Sequence, residues 1–515
     1  MRREATFRAT EPTKVYIIEA YKVKQLISRQ GPQFEQDLKL LQQVPELRGL
    51  LRTELYELAR CRLGMIEFRP GEVVITQGKV RQARAWYVVE SGMLLKDKDG
   101  VPVGQFCPGQ CFGEKSLLRC TPQDPPVSMT TITAGPEGAV CLYFDGELIR
   151  DILFKAFVGD DENKELREDR RGLERQGSNN NNNRYTPSLE SLKKVSFLGR
   201  GAFGAVTLVK DTGDPANNNS RYALKKISKG LVKDAEMQEN VRWERDLMMM
   251  VDSPFIIRLV RTYKDQQFLY FLLEAALGGN LYQVIKTNPG VFRADHPRGG
   301  NTAFYTACVI QALEHLHTRY IVYRDLKPEN VILDARGYGK ICDMGFARFV
   351  LGKTNTLAGT PEYMAPEIIG FPHTHDFNVD WWSLGVLVYE LITGQTPFDD
   401  EGHIDPHEKV MAIQRSQRKG SPRYPMDVPS CIKHFISKLL KPADRRLGKE
   451  GGAAQVKSHP WFRKSLNFRF EALTQGALPS PFIPPPFTER LRSDDDLSGM
   501  YIRYEDDGTG WDEDF

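Results

Sequence analysis

Short apolar runs separated by glycine turns fill much of the chain between residues 45 and 158. Phe68–Ile75, Ala85–Gly92 and Val101–Gly104 are rich in β-branched and aromatic residues, and turn-forming residues bound them. Runs of this length and composition predict a small β-roll domain over residues 45–158. No stretch of the sequence has the roughly eighteen consecutive apolar residues of a transmembrane helix, so no membrane span is expected.

A second pattern starts near Leu192, where strand-like apolar runs flank the glycine-rich segment Leu198–Val206. Glycines in such a segment let backbone amides close over phosphate groups. Tyr222–Lys225 predicts the next strand, with Lys225 placed for the α and β phosphates, and Glu244 lies in a helical pattern from which it can pair with Lys225. The nucleotide-binding candidates of this region are Leu198, Gly199, Gly201, Gly204, Val206, Ala223 and Lys225.

The most specific run in the chain is Tyr323–Asn330, which places a carboxylate, a lysine and an amide at the spacing that phosphoryl transfer requires. Asp325 can accept the proton of an acceptor hydroxyl, and Lys327 can neutralise charge on the moving phosphate. Asn330 can hold a magnesium ion, and Asp343, followed by Met344 and Gly345, offers a second metal-binding carboxylate. The catalytic candidates are therefore Asp325, Lys327, Asn330, Lys225 and Glu244, and the metal candidates are Asn330 and Asp343.

Two buried polar contacts are expected to support this loop. Glu367 ends the run Gly359–Glu367 and needs a basic partner, for which Arg446 is the candidate. Asp380, before a pair of tryptophans, is expected to anchor the backbone of the catalytic loop from a buried helix.

At this point residues 192–462 resemble a serine/threonine protein kinase of the AGC group. The resemblance implies an α+β bilobal fold, with a β-rich small lobe and a mainly helical large lobe. It also implies transfer of the ATP γ-phosphate, with Mg²⁺, to serine or threonine in proteins. The hinge Glu274–Ala276 would bind adenine through its backbone, so Glu274, Ala276 and Asp343 join the ATP-binding candidates.

The same resemblance assigns regulatory and substrate roles. Thr356 is the expected activating phosphosite, and Arg324, beside the catalytic aspartate, would receive its phosphate. Glu329 and Glu390 match positions that bind arginines before the acceptor, which predicts protein substrates with basic serine or threonine sites. Asn280 stands where relatives have an acidic residue that contacts the ribose and a substrate arginine, so part of that selectivity should be weakened.

Residues 463–515 form the expected C-terminal tail. They contain a proline run, Pro481–Pro486, then an acidic stretch that ends in Gly510–Phe515. This ending is similar to the tail of cGMP-dependent protein kinases. The resemblance implies that the terminal aromatic residues fill an apolar pocket and steady the helix that carries Glu244.

The segment Phe112–Leu118 resembles the phosphate-binding cassette of cyclic-nucleotide-binding domains, with Gly113 and Glu114 in place. In that family a helix after the glycine presents amides to the cyclic phosphate, the glutamate takes a ribose hydroxyl and an arginine pairs with the phosphate. Ser128 stands where the arginine is expected. A neutral hydroxyl cannot replace a bidentate cation, so cGMP or another cyclic nucleotide should bind weakly or not at all.

Residues 1–30 echo the stretch from Ser128 to Leu153 and predict a remnant of a preceding domain of the same kind. The alternative for the start is a pseudosubstrate, because Arg2–Ala5 mimics a basic kinase site with alanine at the acceptor. Residues 159–188 predict a linker, densely charged at first and then rich in asparagine.

Composition fits an intracellular, cytoplasmic enzyme of more than one domain. A net charge of +3 over 515 residues is nearly balanced and implies no nucleic-acid partner. Eight cysteines without paired spacing predict reduced thiols, of which Cys342 is a candidate for modification beside the nucleotide. Two alternatives stay open: a kinase-fold scaffold that does not transfer phosphate, and a constitutive kinase whose N-terminal domain is purely structural.

Overall fold

The chain divides into two compact units, Met1–Asp169 and Arg170–Phe515. The computed structural model describes residues 32–50, 52–78, 85–114, 128–146, 149, 152–153, 187–213, 220–293, 299–350, 352–371, 373–398, 406–418, 420, 422–425, 428–489, 502–506, 508–513 and 515. The predicted remnant at 1–30 lies outside these residues, as does the predicted linker at 159–188 apart from its last two residues.

In the described part of the first unit, two helices and a short 3-10 helix precede a six-stranded sheet. The helices are α1 (Pro32–Gln43) and α2 (Arg52–Arg60), with the 3-10 helix at Pro45–Gly49. The strands are β1 (Arg62–Phe68), β2 (Val73–Ile75), β3 (Ala85–Lys98), β4 (Val101–Phe106), β5 (Cys111–Phe112) and β6 (Thr131–Asp145). The sheet runs β1-β6-β3-β4, with β2 on β6 and β5 on β3. Its inner face is apolar, and the β-rich assignment of this unit is confirmed.

A five-stranded antiparallel sheet forms the small lobe of the second unit, in the order β10-β11-β9-β8-β7. Its strands are β7 (Leu192–Gly201), β8 (Gly204–Asp211), β9 (Arg221–Ser228), β10 (Leu259–Lys264) and β11 (Phe268–Glu274). Between β9 and β10 lie α3 (Lys229–Asp234) and α4 (Gln238–Met249), and a 3-10 turn at Leu189–Ser191 precedes the lobe. Helix α4 carries Glu244 on its buried side.

The large lobe is mainly helical, and its described residues include two strand pairs. Its helices are α5 (Leu281–Thr287), α6 (Gly290–Arg293), α7 (Gly300–His317), α8 (Pro366–Ile369), α9 (Asn378–Thr393), α10 (Pro406–Arg418), α11 (Ser430–Leu439), α12 (Gly452–Lys457) and, towards the tail, α13 (Phe470–Thr474). Short 3-10 helices span Pro328–Asn330 and Pro361–Tyr363, and a π-helix spans Trp461–Leu466. The strand pairs are β12 (Ile321–Val322) with β15 (Arg348–Phe349), and β13 (Val331–Leu333) with β14 (Gly339–Ile341).

Helix α9 is the centre of the large lobe. Every residue from Asn378 to Leu391 is buried, and a helix that is apolar all round belongs in a core. Trp382 stacks on Phe398 at a ring distance of 5.5 Å within this core. Together with the small-lobe sheet, this arrangement confirms the predicted mixed α and β class. Within the described ranges, no helix is both long and apolar enough to cross a bilayer.

Candidate active site

The glycine-rich segment is the hairpin between β7 and β8. A β-carbon on Gly204 would lie 1.8 Å from the carbonyl oxygen of Lys226, so close packing of β8 on β9 requires glycine there. At Gly199 and Gly201, by contrast, such a carbon would meet no atom within 4 Å. These two positions leave the backbone open, which suits the approach of phosphate oxygens to amide groups.

The other nucleotide candidates on this sheet lie on adjacent strands. Leu198 on β7 and Val206 on β8 are half-buried, and Ala223 on β9 is buried. Val206 is the direct cross-strand partner of Lys225. The apolar candidates and the ammonium group of Lys225 therefore belong to the same part of the sheet.

Lys225 and Glu244 form the predicted ion pair, which is thereby confirmed as a contact. The ammonium Nζ lies 2.6 Å from Oε1 of Glu244 and 3.7 Å from Oδ1 of Asp343. Although burial alone would lower the pKa of Lys225, the two carboxylates hold it above its ordinary value. Lys225 therefore stays charged between helix α4 and the large lobe.

The hinge follows the end of β11. Glu274 is the last residue of the strand, so Ala276 lies beyond the ladder, where its backbone can face a ligand. The carboxylate of Glu274 lies 2.6 Å from Nζ of Lys340 on β14. This ion pair ties the end of the small-lobe sheet to the large lobe beside the hinge.

Asp325 is the hub of a hydrogen-bonded cluster. Its Oδ2 accepts from Nζ of Lys327 at 2.9 Å and from Nδ2 of Asn330 at 2.7 Å. Its Oδ1 accepts from the hydroxyl of Thr360 at 2.7 Å, and Lys327 also donates to that hydroxyl at 2.8 Å. The carboxylate is thus buried, fixed in orientation and next to a cation, as a base that receives a proton from a positioned hydroxyl requires.

The backbone before Asp325 is held by Asp380, as the sequence predicted. Asp380 is fully buried, and its two oxygens accept from the amides of Tyr323 at 2.9 Å and Arg324 at 2.8 Å. Arg324 has a φ of +67°, a conformation that side-chain-bearing residues rarely adopt. Two charge-assisted bonds to a buried carboxylate offset that strain and fix the direction of Asp325.

The β13–β14 hairpin brings the two metal candidates together. Val331 pairs with Ile341, and the amide of Cys342 donates to the carbonyl oxygen of Asn330 at 3.0 Å, so Asn330 and Asp343 flank the same end of the hairpin. The charge of Lys225 holds the pKa of Asp343 below its usual value, which keeps a carboxylate available.

The donor set fits magnesium bound with a nucleotide. Asn330 uses its amide nitrogen on Asp325, which leaves the oxygen as its ligand atom. Among the described residues, no group of three or more histidine, cysteine, aspartate or glutamate side chains could hold a metal. One carboxylate and one amide oxygen suit Mg²⁺ that shares its remaining positions with phosphates and water.

Cys342 next to Asp343 is a poor candidate for modification. Burial raises the pKa of its thiol to about 12, and Asp343 adds to the shift. The thiolate is the reactive form, so the raised pKa disfavours modification of this thiol.

The activation segment carries Thr356 on its exposed side. Two residues earlier, Thr354 is buried and exchanges both backbone hydrogen bonds with His375, at 2.8 Å each. Burial lowers the pKa of His375, and the nearby charge of Arg324 lowers it further. Arg324 therefore lies beside the strand bridge that presents Thr356, although one of its nitrogens, Nε, is bonded to the carbonyl oxygen of Phe346 at 2.8 Å.

The two acidic residues predicted to bind substrate arginines differ in exposure. Glu329 is exposed, whereas Glu390 is buried and accepts from the hydroxyl of Tyr363. Burial raises the pKa of Glu390, and the charge of Glu329 adds to the shift, so the two carboxylates are close enough to interact. Asn280 caps helix α5 by accepting from the amide of Gln283 at 2.9 Å, which is a structural use of the amide that replaces an acidic residue.

The end of the chain packs on the small lobe, as the tail resemblance implied. The ring of Phe515 lies 5.5 Å from that of Phe271 on β11, and the guanidinium of Arg245 lies 5.6 Å from Phe515. Trp511 is buried, and Arg242 of α4 donates to its carbonyl oxygen. Two arginines of α4 therefore hold the tail, and the predicted contact with the helix of Glu244 is confirmed.

In the first unit, the cyclic-nucleotide candidates lie after β5 and before β6. Gly113 has a φ of +108°, and Oε2 of Glu114 is buried without a hydrogen-bond partner in the described part of the chain. Ser128 donates its hydroxyl to the carbonyl oxygen of Thr130 at 2.7 Å. Glu114 suits a ribose hydroxyl, but Ser128 supplies no positive charge for a phosphate.

Sequence reasoning gave no role to three residues of this site. Thr360 bridges Asp325 and Lys327, and its place in the Gly359–Glu367 run was the available signal. Trp243 and Arg348 contact each other between α4 and β15, and no short-range pattern connects them.

The protein kinase domain family matches residues 192–462, and the cyclic nucleotide-binding domain family matches residues 65–156. The chain is 31% identical over its whole length to cGMP-dependent protein kinase, isozyme 2 forms cD5/T2, of Drosophila melanogaster, of which it covers 53%. It is 31% identical to human cGMP-dependent protein kinase 2, of which it covers 68%. Over 63% of its length it is 37% identical to the human cAMP-dependent protein kinase catalytic subunit PRKX.

The chain spans about half the length of the Drosophila isozyme 2 relatives, 53% and 46% of the two forms. The kinase match covers more than half of this chain, and the matches to cGMP-dependent kinases run through both domains. The chain therefore belongs to the protein kinase family, among the kinases similar to cGMP-dependent protein kinases.

Proposed function

We propose that the chain is a serine/threonine protein kinase that transfers the γ-phosphate of ATP to protein substrates with basic sites. The observation that carries this proposal is the Asp325 cluster, in which one buried carboxylate meets Lys327, Asn330 and Thr360. A substrate hydroxyl at Asp325 would lose its proton to the carboxylate, and Lys327 would stabilise charge on the transferred group.

The small lobe supplies the nucleotide side of the reaction. Lys225 would bind the α and β phosphates while Glu244 holds its ammonium group at 2.6 Å. Asn330 and Asp343 would hold Mg²⁺, which neutralises phosphate charge when bound. A phosphate on Thr356 would add close to two negative charges beside Arg324 and order the activation segment.

The test is transfer of labelled phosphate from Mg-ATP to a serine peptide with arginines before the acceptor. The unmodified chain should label the peptide, and Asp343→Ala, purified identically, should not, which excludes a contaminating kinase. The scaffold alternative is favoured instead if the unmodified chain gives no labelling even after Thr356 has been phosphorylated by another kinase. In that case the ion pairs of the site would serve only to fold the domain.

Glu390→Gln is expected to lower kcat/KM for a peptide with an arginine two residues before the acceptor by about tenfold. Glu390 is a buried carboxylate near Glu329, and a charge-assisted bond to a substrate guanidinium is lost when it becomes an amide. The measurement is steady-state kinetics with two peptides, the second having alanine in place of arginine. An equal loss with both peptides would mean that Glu390 supports Tyr363 rather than binding the substrate.

Asn280→Asp restores the acidic residue that relatives have at this position. Aspartate also keeps the oxygen that accepts from the amide of Gln283, so the helix cap is retained. We expect it to raise preference for a further upstream arginine while leaving the fold intact.

We infer that cyclic-nucleotide control of this chain is weak, because Ser128 offers a neutral hydroxyl already donated to Thr130. Ser128→Arg is expected to tighten cGMP binding by about tenfold or more, since a charge-assisted pair contributes about 1.5–3 kcal/mol. Calorimetric titration of cGMP and cAMP into the full chain measures this, with Ser128→Gln as the uncharged control of similar length. Tight binding and a full kinase response in the unmodified chain would contradict the inference.

A further inference from the structure

Trp243 and Arg348 join helix α4 to the segment that follows Asp343. The guanidinium carbon of Arg348 lies 4.9 Å from the centroid of the Trp243 ring. Trp243 is 5% exposed and immediately precedes Glu244 in α4, whereas Arg348 is half-buried at the start of β15. A cation over a desolvated indole face is bound more strongly than one over an exposed ring.

The strand that carries Arg348 leads directly to the catalytic loop. Arg348 is the antiparallel partner of Val322, the last residue of β12, and Tyr323 follows with its amide bonded to Asp380. The Trp243 contact therefore connects the helix of Glu244 with the strand pair from which Asp325 emerges. The tail binds α4 through Arg242 and Arg245, and the hinge ion pair joins Glu274 to Lys340, so neither of these contacts involves β12 or β15.

The contact also needs no modification of the chain. The contact joins two unmodified side chains, Trp243 and Arg348. Arg348 lies between Asp343 and Thr356 along the sequence. A guanidinium that lies over an aromatic ring can still donate its N–H groups to other acceptors. Arg348 can thus hold α4 whatever the state of Thr356.

We propose that Trp243 is a positioning residue for phosphoryl transfer. By binding Arg348 it fixes helix α4 against the β12–β15 pair and so keeps Glu244 within reach of Lys225 without help from a phosphate on Thr356. This inference rests on the proposed kinase activity for its kinetic consequence, but the contact itself can be tested without activity.

The experiment is a double-mutant cycle on the full chain with Trp243→Leu, Arg348→Gln and the double variant. Each single variant should lower kcat by about tenfold, and the double variant should lose no more than either alone, because one contact is removed in all three. Trp243→Phe, which keeps a ring face, should recover at least about a third of the activity. Arg261→Gln is the matched control, since it removes a guanidinium 5.6 Å from the ring of Tyr263 on β10, away from α4.

Hydrogen exchange of the α4 amides is the readout that does not depend on catalysis. Exchange should speed up by about tenfold in Trp243→Leu and in Arg348→Gln, without further gain in the double variant. Arg348→Gln keeps the test valid if the buried Trp243→Leu change unfolds the lobe. Unchanged exchange and unchanged kcat in Arg348→Gln would overturn the proposal, and so would additive losses in the cycle.

Independence from Thr356 is tested by repeating the cycle in Thr356→Ala. In the Thr356→Ala protein, Trp243→Leu should lower kcat by the same factor as in the unmodified chain. Where turnover is too slow to measure, it should speed up exchange of the α4 amides by the same factor. An effect that disappears there would show that the contact acts through the phosphate, against the proposal. If the unmodified chain transfers no phosphate at all, the proposed function fails, while the exchange data still decide whether Trp243 positions α4.

Discussion

Asp325→Asn is expected to lower kcat by about a hundredfold to ten-thousandfold, while KM for ATP changes by less than about threefold. Asparagine keeps the shape of the side chain and can still contact Lys327 and Thr360, but an amide does not accept the proton of a substrate hydroxyl. The loss should therefore fall on the chemical step. Single-turnover labelling of an arginine-containing peptide measures it directly.

Asp334→Asn is the control for this change. Asp334 accepts backbone amides of Arg336 and Tyr338 at 2.9 and 2.8 Å at the tip of the β13–β14 hairpin, at the opposite end from Asn330 and Asp343. The same carboxylate-to-amide change should leave kcat within about twofold there. If Asp325→Asn kept activity within about fivefold of the unmodified chain, Asp325 would not be the base.

Glu367→Gln is expected to lower the free energy of unfolding of the kinase domain by about 3–5 kcal/mol. Arg446 is 2% exposed, and its two terminal nitrogens lie 2.5 and 2.9 Å from the two oxygens of Glu367. Loss of the carboxylate charge leaves a buried guanidinium with neutral partners: the amide oxygen of the new glutamine, the carbonyl oxygens of Asn378 and Lys441, and the ring of Trp382 at 5.2 Å. A buried charge without its counter-ion is far more costly than the bond itself.

Chemical denaturation followed by circular dichroism measures this change, and Arg445→Gln is its neighbouring control. Arg445 is 81% exposed and lies 3.5 Å from Asp444, so its removal should cost less than about 1 kcal/mol. Equal effects of the two variants would show that the Glu367–Arg446 pair is not a buried anchor of the large lobe.

Ordered motifs made the polar centre of this kinase predictable. The pairs Lys225–Glu244 and Glu367–Arg446 were each expected from residue type and place in an ordered set, and both are present. Such pairs are predictable because their roles fix the charge of each residue and its place in the motif order. Lys225–Glu244 serves phosphoryl transfer in the proposed function, and Glu367–Arg446 is a buried ion pair. The β-roll could be anticipated for a different reason, since short runs of β-branched and aromatic residues bounded by turn-forming residues are typical of strands.

The contacts that remained unpredicted depend on tertiary packing. Nothing in the sequence around Trp243 indicates that an arginine far along the chain will lie on its ring. The capping role of Asn280 is predictable from sequence, because Asn280 and Gln283 have the spacing of a capping box. The raised pKa of the Cys342 thiol could not be predicted from sequence, because it depends on how deeply the thiol is buried.

The hydrogen bond between the amide of Cys342 and the carbonyl oxygen of Asn330 has a consequence for turnover. The two proposed cation ligands, Asn330 and Asp343, flank one end of a short hairpin of the large lobe, whereas Lys225 belongs to the small lobe. Opening of the cleft to release ADP would draw Lys225 away from Asp343 without changing the spacing between Asn330 and Asp343. Asn330 and Asp343 would therefore be in place, at an unchanged spacing, to hold Mg²⁺ when the next ATP binds.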